Sequence, residues 1–148
     1  MKNVKYLLLI ALVLLVGCSS KGYKEGEYQA TAIDNYGGQE NTATADITVD
    51  ENGKITKVYL DTTYKTAEGV NTTKKALGND YQMKTLNPNA QGEWFEQVAK
   101  LEQAVVEHQG IDFLKLDEDG YTDAVSGCTI KIDALYKALE NALKKAKK

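Results

Sequence analysis

The chain of 148 residues contains no arginine, a single histidine (His108), a single proline (Pro88) and two cysteines (Cys18 and Cys128). Each scarcity excludes something. Arginine is the side chain that reads phosphates and guanine edges in bidentate fashion, so with none present, and with a formal charge of -3, nucleic acid is not an expected partner. One histidine and no cysteine cluster leave no set of ligands for a zinc or iron centre, so no metal is expected. Long apolar runs are also missing. The longest, Tyr6 to Val16, is too short to cross a bilayer, which takes about 20 apolar residues.

That run has another use. It follows the basic head Met1-Lys2-Asn3-Val4-Lys5, which together reads as a signal peptide over residues 1–17. Leu15-Val16-Gly17-Cys18 fits the pattern at which bacterial lipoproteins are cleaved and acylated. Cys18 is then the lipidated N-terminus, its palmitate-class acyl chains anchoring the protein to a bilayer on the extracytoplasmic side. Residues 18–27, small and charged with two glycines, read as the lipidated cysteine and a short tether. Loss of Lys2 and Lys5 takes the formal charge from -3 to -5. Cys128 is left as the only thiol and is expected to be buried as a small apolar residue.

The remainder has the length of one domain. Tyr28–Ile33, Ala43–Val49 and Ile55–Leu60 carry strand patterning, the last two joined by Asp50-Glu51-Asn52-Gly53-Lys54 with its Asn-Gly hairpin step. Asp61–Asn71 reads as loop, followed by a helical turn over Thr72–Leu77 capped by Asn71 and closed by Gly78. Gly78–Met83 and the stretch around Pro88 read as irregular chain. Trp94, Val98, Leu101 and Val105 mark one face of a helix from Glu93 to Glu107, stopped by Gly110. Ile111–Leu116 suggests a short strand, and Asp117-Glu118-Asp119-Gly120 an acidic solvated turn. Ile132, Leu135, Leu139 and Leu143 give the apolar face of a last helix. The expected fold class is α+β: an antiparallel β meander packed against two main helices in a single small domain.

Just ahead of that last helix stands Asp123-Ala124-Val125-Ser126-Gly127-Cys128-Thr129. This run resembles the acceptor motif of the FMN-binding domain family, in its lipoprotein branch, where a flavin transferase joins FMN to the final hydroxyl by a phosphoester bond. Cys128 stands where the family usually has Ala, and Lys131 where a second Ser or Thr often sits. The Lys74-Lys75-Ala76-Leu77-Gly78-Asn79-Asp80-Tyr81-Gln82-Met83 run is similar to one that precedes a tryptophan-bearing helix in the same branch.

The resemblance implies covalent FMN on Thr129, with Asp123, Ser126, Gly127 and Cys128 forming the attachment loop and Tyr81, Met83 and Trp94 the wall for the isoalloxazine ring. Residues 28–148 are then the FMN-binding domain. A helix beginning near Thr129 would seat the phosphate at its free amides. The function implied is an electron carrier between a membrane reductase or quinol and another flavin domain or an extracellular acceptor. No catalytic residues of its own are expected, because the cofactor carries the redox chemistry. The alternatives are a lipoprotein that binds a flavin or other small ligand without a covalent bond, and a cofactor-free structural subunit of an envelope complex.

Overall fold

The computed structural model describes residues 22–148; the signal peptide, Cys18 and the first part of the tether lie outside the described residues. Four strands, β1 (Gly26–Asp34), β2 (Asn41–Val49), β3 (Ile55–Lys65) and β4 (Asn71–Thr73), form an antiparallel sheet in the order β1-β2-β3-β4. Two one-turn helices follow, α1 (Lys74–Leu77) and α2 (Met83–Leu86), with a 3-10 turn over Gly78–Tyr81 between them. The two main helices are α3 (Trp94–His108) and α4 (Asp133–Ala146). This is the α+β meander with two main helices that the patterning predicts.

The sheet buries one face, and the alternation in β2 shows it: Ala43, Ala45, Ile47 and Val49 point inward. β3 breaks the alternation, since Ile55 and Val58 are both buried although three residues apart. A bulge opposite Thr48 and Val49 absorbs the extra residue and returns the strand to phase. Small residues on the inner face, Ala30, Ala43 and Ala45, meet an equally small stripe on α4, Ala134, Ala138, Ala142 and Ala146, which packs over β1 and β2. α3 packs over β3.

Most of β3 has no strand on its outer edge, because β4 pairs only with Thr63, Tyr64 and Lys65. Side chains of α3 serve instead. Gln109 accepts from the Ile55 amide and donates to the Ile55 carbonyl, both at 2.9 Å, and Glu102 accepts from the Leu60 amide at 2.6 Å. A half-paired edge is thereby closed to further strands. Where the chain is first described, Tyr23 forms a bridge with Lys147, and the Lys24 amide donates to the Ala146 carbonyl at 2.8 Å. Part of the stretch read as tether is thus tied to the end of α4.

Several expectations need correction. Asp61–Asn71 is not all loop: β3 continues to Lys65, and the chain turns over residues 66–70 into β4. Strand propensity in Thr62, Thr63 and Tyr64 outweighs the polar composition there. The cap of α1 is Thr73, whose hydroxyl accepts from the Ala76 amide, and Asn71 belongs to β4. Met83–Leu86 is a helical turn and not irregular chain. Ile111–Leu116 forms no strand; Ile111 and Leu114 are buried from a turn closed by the Leu114 amide on the Ile111 carbonyl. α4 begins at Asp133 and not near Thr129. The buried Ile130 and Ile132, with the Ile132 amide donating to the Gly120 carbonyl at 2.8 Å, hold the intervening segment out of the helix.

Candidate functional site

At the end of the sheet where β1 finishes and α4 begins lies a cleft. Its walls come from Asp34 at the end of β1, Thr62 of β3, Lys74 of α1, Tyr81 and Met83 around α2, Trp94 and Gln97 of α3, and the segment Thr129 to Leu135. Four of the residues singled out in the sequence, Thr129, Tyr81, Met83 and Trp94, meet there although they are up to 48 positions apart, the span from Tyr81 to Thr129.

The aromatic wall is fixed by its own packing. Tyr81 stands edge-on to Tyr64 (centroids 5.2 Å apart) and to Trp94 (6.5 Å). Burial pushes the Tyr81 phenol up to about 12, with Tyr64, Tyr36 and Asp34 adding to the effect. Gln82 takes a left-handed conformation (φ 58°), which turns the chain so that Tyr81 and Met83 both border the cleft. Glu93 secures this turn. Its buried carboxylate accepts from the Met83 amide at 2.9 Å and the Lys84 amide at 3.3 Å, while it caps α3 in a reciprocal box with Glu96.

The loop Asp123–Thr129 is pinned by three buried side chains, Val125, Cys128 and Ile130, so that Ser126 and Thr129 face outward. Gly127 has φ +74°, and a side chain there would meet the Lys100 ammonium. Thr129 is held by one residue. The carbonyl oxygen of Gln97 accepts from the Thr129 amide at 2.7 Å and from its hydroxyl at 3.0 Å. The Gln97 amide group donates to the Gly92 carbonyl at 2.9 Å, which fixes the direction of the side chain. The hydroxyl proton of Thr129 thus points to Gln97, and its lone pairs remain open to an approaching group.

The remaining motif residues do not line the cleft. Ser126, Gly127 and Asp123 belong to the loop behind Thr129, with Ser126 and Asp123 exposed. Cys128 is 3 % exposed within the core, and burial raises its thiol above the ordinary range against smaller opposing effects of the Ile130 backbone and Lys100. The helix-terminus seat for a phosphate needs revision, since Thr129 lies four residues ahead of α4. The first turn of α4 still borders the cleft through Asp133, Ala134 and Leu135, but the Ala134 amide is taken by the Asp133 carboxylate at 2.9 Å. Lys131, two residues after Thr129, lines the cleft as well and is paired with Asp133 at 3.3 Å; Lys74 is another lysine on its walls.

Sequence reasoning missed Gln97, Lys74 and Asp34. Gln97 left a trace: it lies three residues after Trp94 and four before Leu101, a lone polar side chain inside the apolar stripe of α3. Lys74 stood in the sequence as the first residue of the run similar to the family's, with no role attached to it.

Residues 36–144 match the family described as FMN-binding domain. The chain belongs to that family. Its cofactor is accordingly FMN and its role flavin-based electron transfer. Comparison with curated proteins and with solved structures found no match. The residues on the cleft fit such a group: an outward hydroxyl, aromatic and thioether surfaces, and two lysines on the walls.

Proposed function

We propose that this FMN-binding domain carries its flavin covalently, as a phosphoester on Thr129, and works as an electron carrier tethered outside the cytoplasm through lipid on Cys18. The observation that carries the attachment is the exposed Thr129 hydroxyl, oriented by Gln97 at the rim of a cleft walled by Tyr81, Met83 and Trp94.

A threonine hydroxyl is a poor nucleophile without a base. The cleft offers no histidine, and Gln97 cannot take a proton. Attachment therefore requires a flavin transferase. The bond formed is Thr129 Oγ1–P; the pyrophosphate P–O bond of a flavin dinucleotide donor held by the transferase breaks, the other nucleoside monophosphate leaves with the bonding electron pair, and the hydroxyl proton passes to a base on the transferase. Asp123, Ser126 and Gly127, on the outer side of the loop, are the groups that enzyme meets. Once attached, the FMN supplies reversible electron storage, and the chain's own residues orient it. Tyr81 and Trp94 give apolar surface for the ring, while Lys131 stands beside the phosphate. The donor is a membrane reductase or quinol, and the acceptor another flavin domain or an extracellular species. A covalent tether suits this location, since a lost cofactor outside the cell has no pool to replace it.

The test is the intact mass of the domain from Ser19 onward, secreted together with an active flavin transferase and then denatured. A gain of one FMN less one water, mapped by fragmentation to Thr129, is expected. An unmodified mass, with the same transferase active on another domain, would overturn the covalent reading in favour of a lipoprotein that binds its ligand reversibly.

A further inference from the structure

Lys74 is an expensive residue for its position. It is 5 % exposed on a one-turn helix, and burying an ammonium costs free energy unless it is paired and hydrogen-bonded. Its hydrogen-bond partner among the described residues is Asp34, at 3.4 Å. That is long for a charge-assisted bond, which closes to about 2.7–2.9 Å when two ions draw fully together. The other Asp34 oxygen accepts from the Tyr36 amide at 3.0 Å. The ammonium instead lies among three rings, 5.3 Å from the centroid of Trp94, 5.8 Å from Tyr81 and 5.9 Å from Tyr36, within the reach of cation–π attraction. An ammonium has three N–H donors. One goes to Asp34, and the others face the rings and the cleft that Lys74 lines.

We infer that Lys74 is the residue that sets the reduction potential of the flavin held in this cleft, by giving its charge and its free donors to the ring system when that becomes negative. This rests on the reading that FMN occupies the cleft. Two electrons and one proton added to an isoalloxazine leave one net negative charge, spread over N1 and the C2 carbonyl. A fixed buried cation with unspent donors stabilises that form over the neutral oxidised one, and the low local polarity makes the effect larger than in water. Asp34 limits it, because its carboxylate cancels part of the same field. The pair therefore acts as a setting with two opposed sides. Lys74 is a positioning and tuning residue; the electrons move through the flavin.

The opposed signs make the test specific. Midpoint potentials would be measured for the flavinylated domain and its Lys74→Met, Lys74→Arg and Asp34→Asn variants, with the denaturation midpoint of each unflavinylated form measured alongside. Lys74→Met is expected to weaken the preference for reduced over oxidised flavin at least tenfold, a fall of about 30 mV for a two-electron couple. Asp34→Asn is expected to move the potential the opposite way, and Lys74→Arg to stay near the parent. A merely structural pair would lower the stability of both Lys74→Met and Asp34→Asn and leave both potentials within a twofold preference of the parent, and that result would overturn the inference. If Thr129 takes up no flavin, the attachment reading falls separately. The role of Lys74 is then read from FMN titrated into the unmodified domain and Lys74→Met under oxidising and reducing conditions, where equal losses of affinity in both would overturn it.

Discussion

Replacing Gln97 by Leu should cost both stability and flavin attachment, and the two losses have different origins. Leu fills nearly the same volume, so no cavity opens. Gly92, however, is buried, and its carbonyl loses the Gln97 donor, worth about 1–3 kcal/mol for an orphaned buried acceptor. Thr129 is exposed, so its amide and hydroxyl recover water and lose about 0.5–1 kcal/mol each. Extra apolar burial returns roughly 1 kcal/mol. The net expectation is a loss of about 1–4 kcal/mol, read as a lower urea midpoint at unchanged slope. Attachment should slow by more than the folded fraction explains, because the hydroxyl is no longer aimed. Gln97→Glu separates the two: it keeps an oxygen facing Thr129 while losing the donor to Gly92, so it should be destabilised yet take up flavin faster than the Leu variant. A Gln97→Leu domain that is within 0.5 kcal/mol of the parent (roughly the scatter of a neutral substitution) and flavinylated at the parent rate would refute the reasoning.

Thr129→Ala should show no covalent flavin by mass and lose about 1 kcal/mol or less, since the amide bond to Gln97 survives; Thr129→Ser should retain the flavin. Gly120→Ala should lose about 2–3 kcal/mol in denaturant unfolding, because φ is +87° and the added carbon would stand 2.8 Å from the Asp133 Cβ. Tyr81, raised to about 12, should ionise last among the tyrosines in an ultraviolet titration. Its folded-state value lies above the unfolded one near 10, so its contribution to stability is whole below pH 10 and is lost as pH rises from about 10 through 12. Cys128 should resist alkylation in the native protein and react at once in denaturant, its thiol being buried and raised; modification at the native rate of an exposed thiol would contradict the packing of the loop.

The parts of the fold legible in the sequence were those with a period. The β2–β3 hairpin announced itself through Asn52-Gly53, and α3 and α4 through apolar stripes that the structure buries as expected. What stayed hidden depended on partners far along the chain. The second half of β3, Asp61–Lys65, looked like loop because its composition is polar and its edge is paired by β4, a three-residue strand too short to show a period of its own. The start of α4 was misplaced because Thr129 has the chemistry of a cap, but its hydroxyl donates to Gln97 and caps nothing. At the cleft, motif and aromatic residues stood out by resemblance, whereas Gln97, Lys74 and Asp34 acquire meaning only once three separate elements are brought together.

The bridge between Tyr23 and Lys147 has a consequence for reach. β1 runs from Gly26, beside that bridge, to Asp34 at the cleft, nine residues or about 26–30 Å. α4 runs back over 14 residues, about 20 Å, from Asp133 at the cleft to Ala146 beside the bridge. The cleft and the point where the N-terminal segment leaves the domain are therefore opposite poles. If the lipid anchor proposed at Cys18 is present, the membrane lies on the side of the bridge, and the cleft is the pole turned away from it.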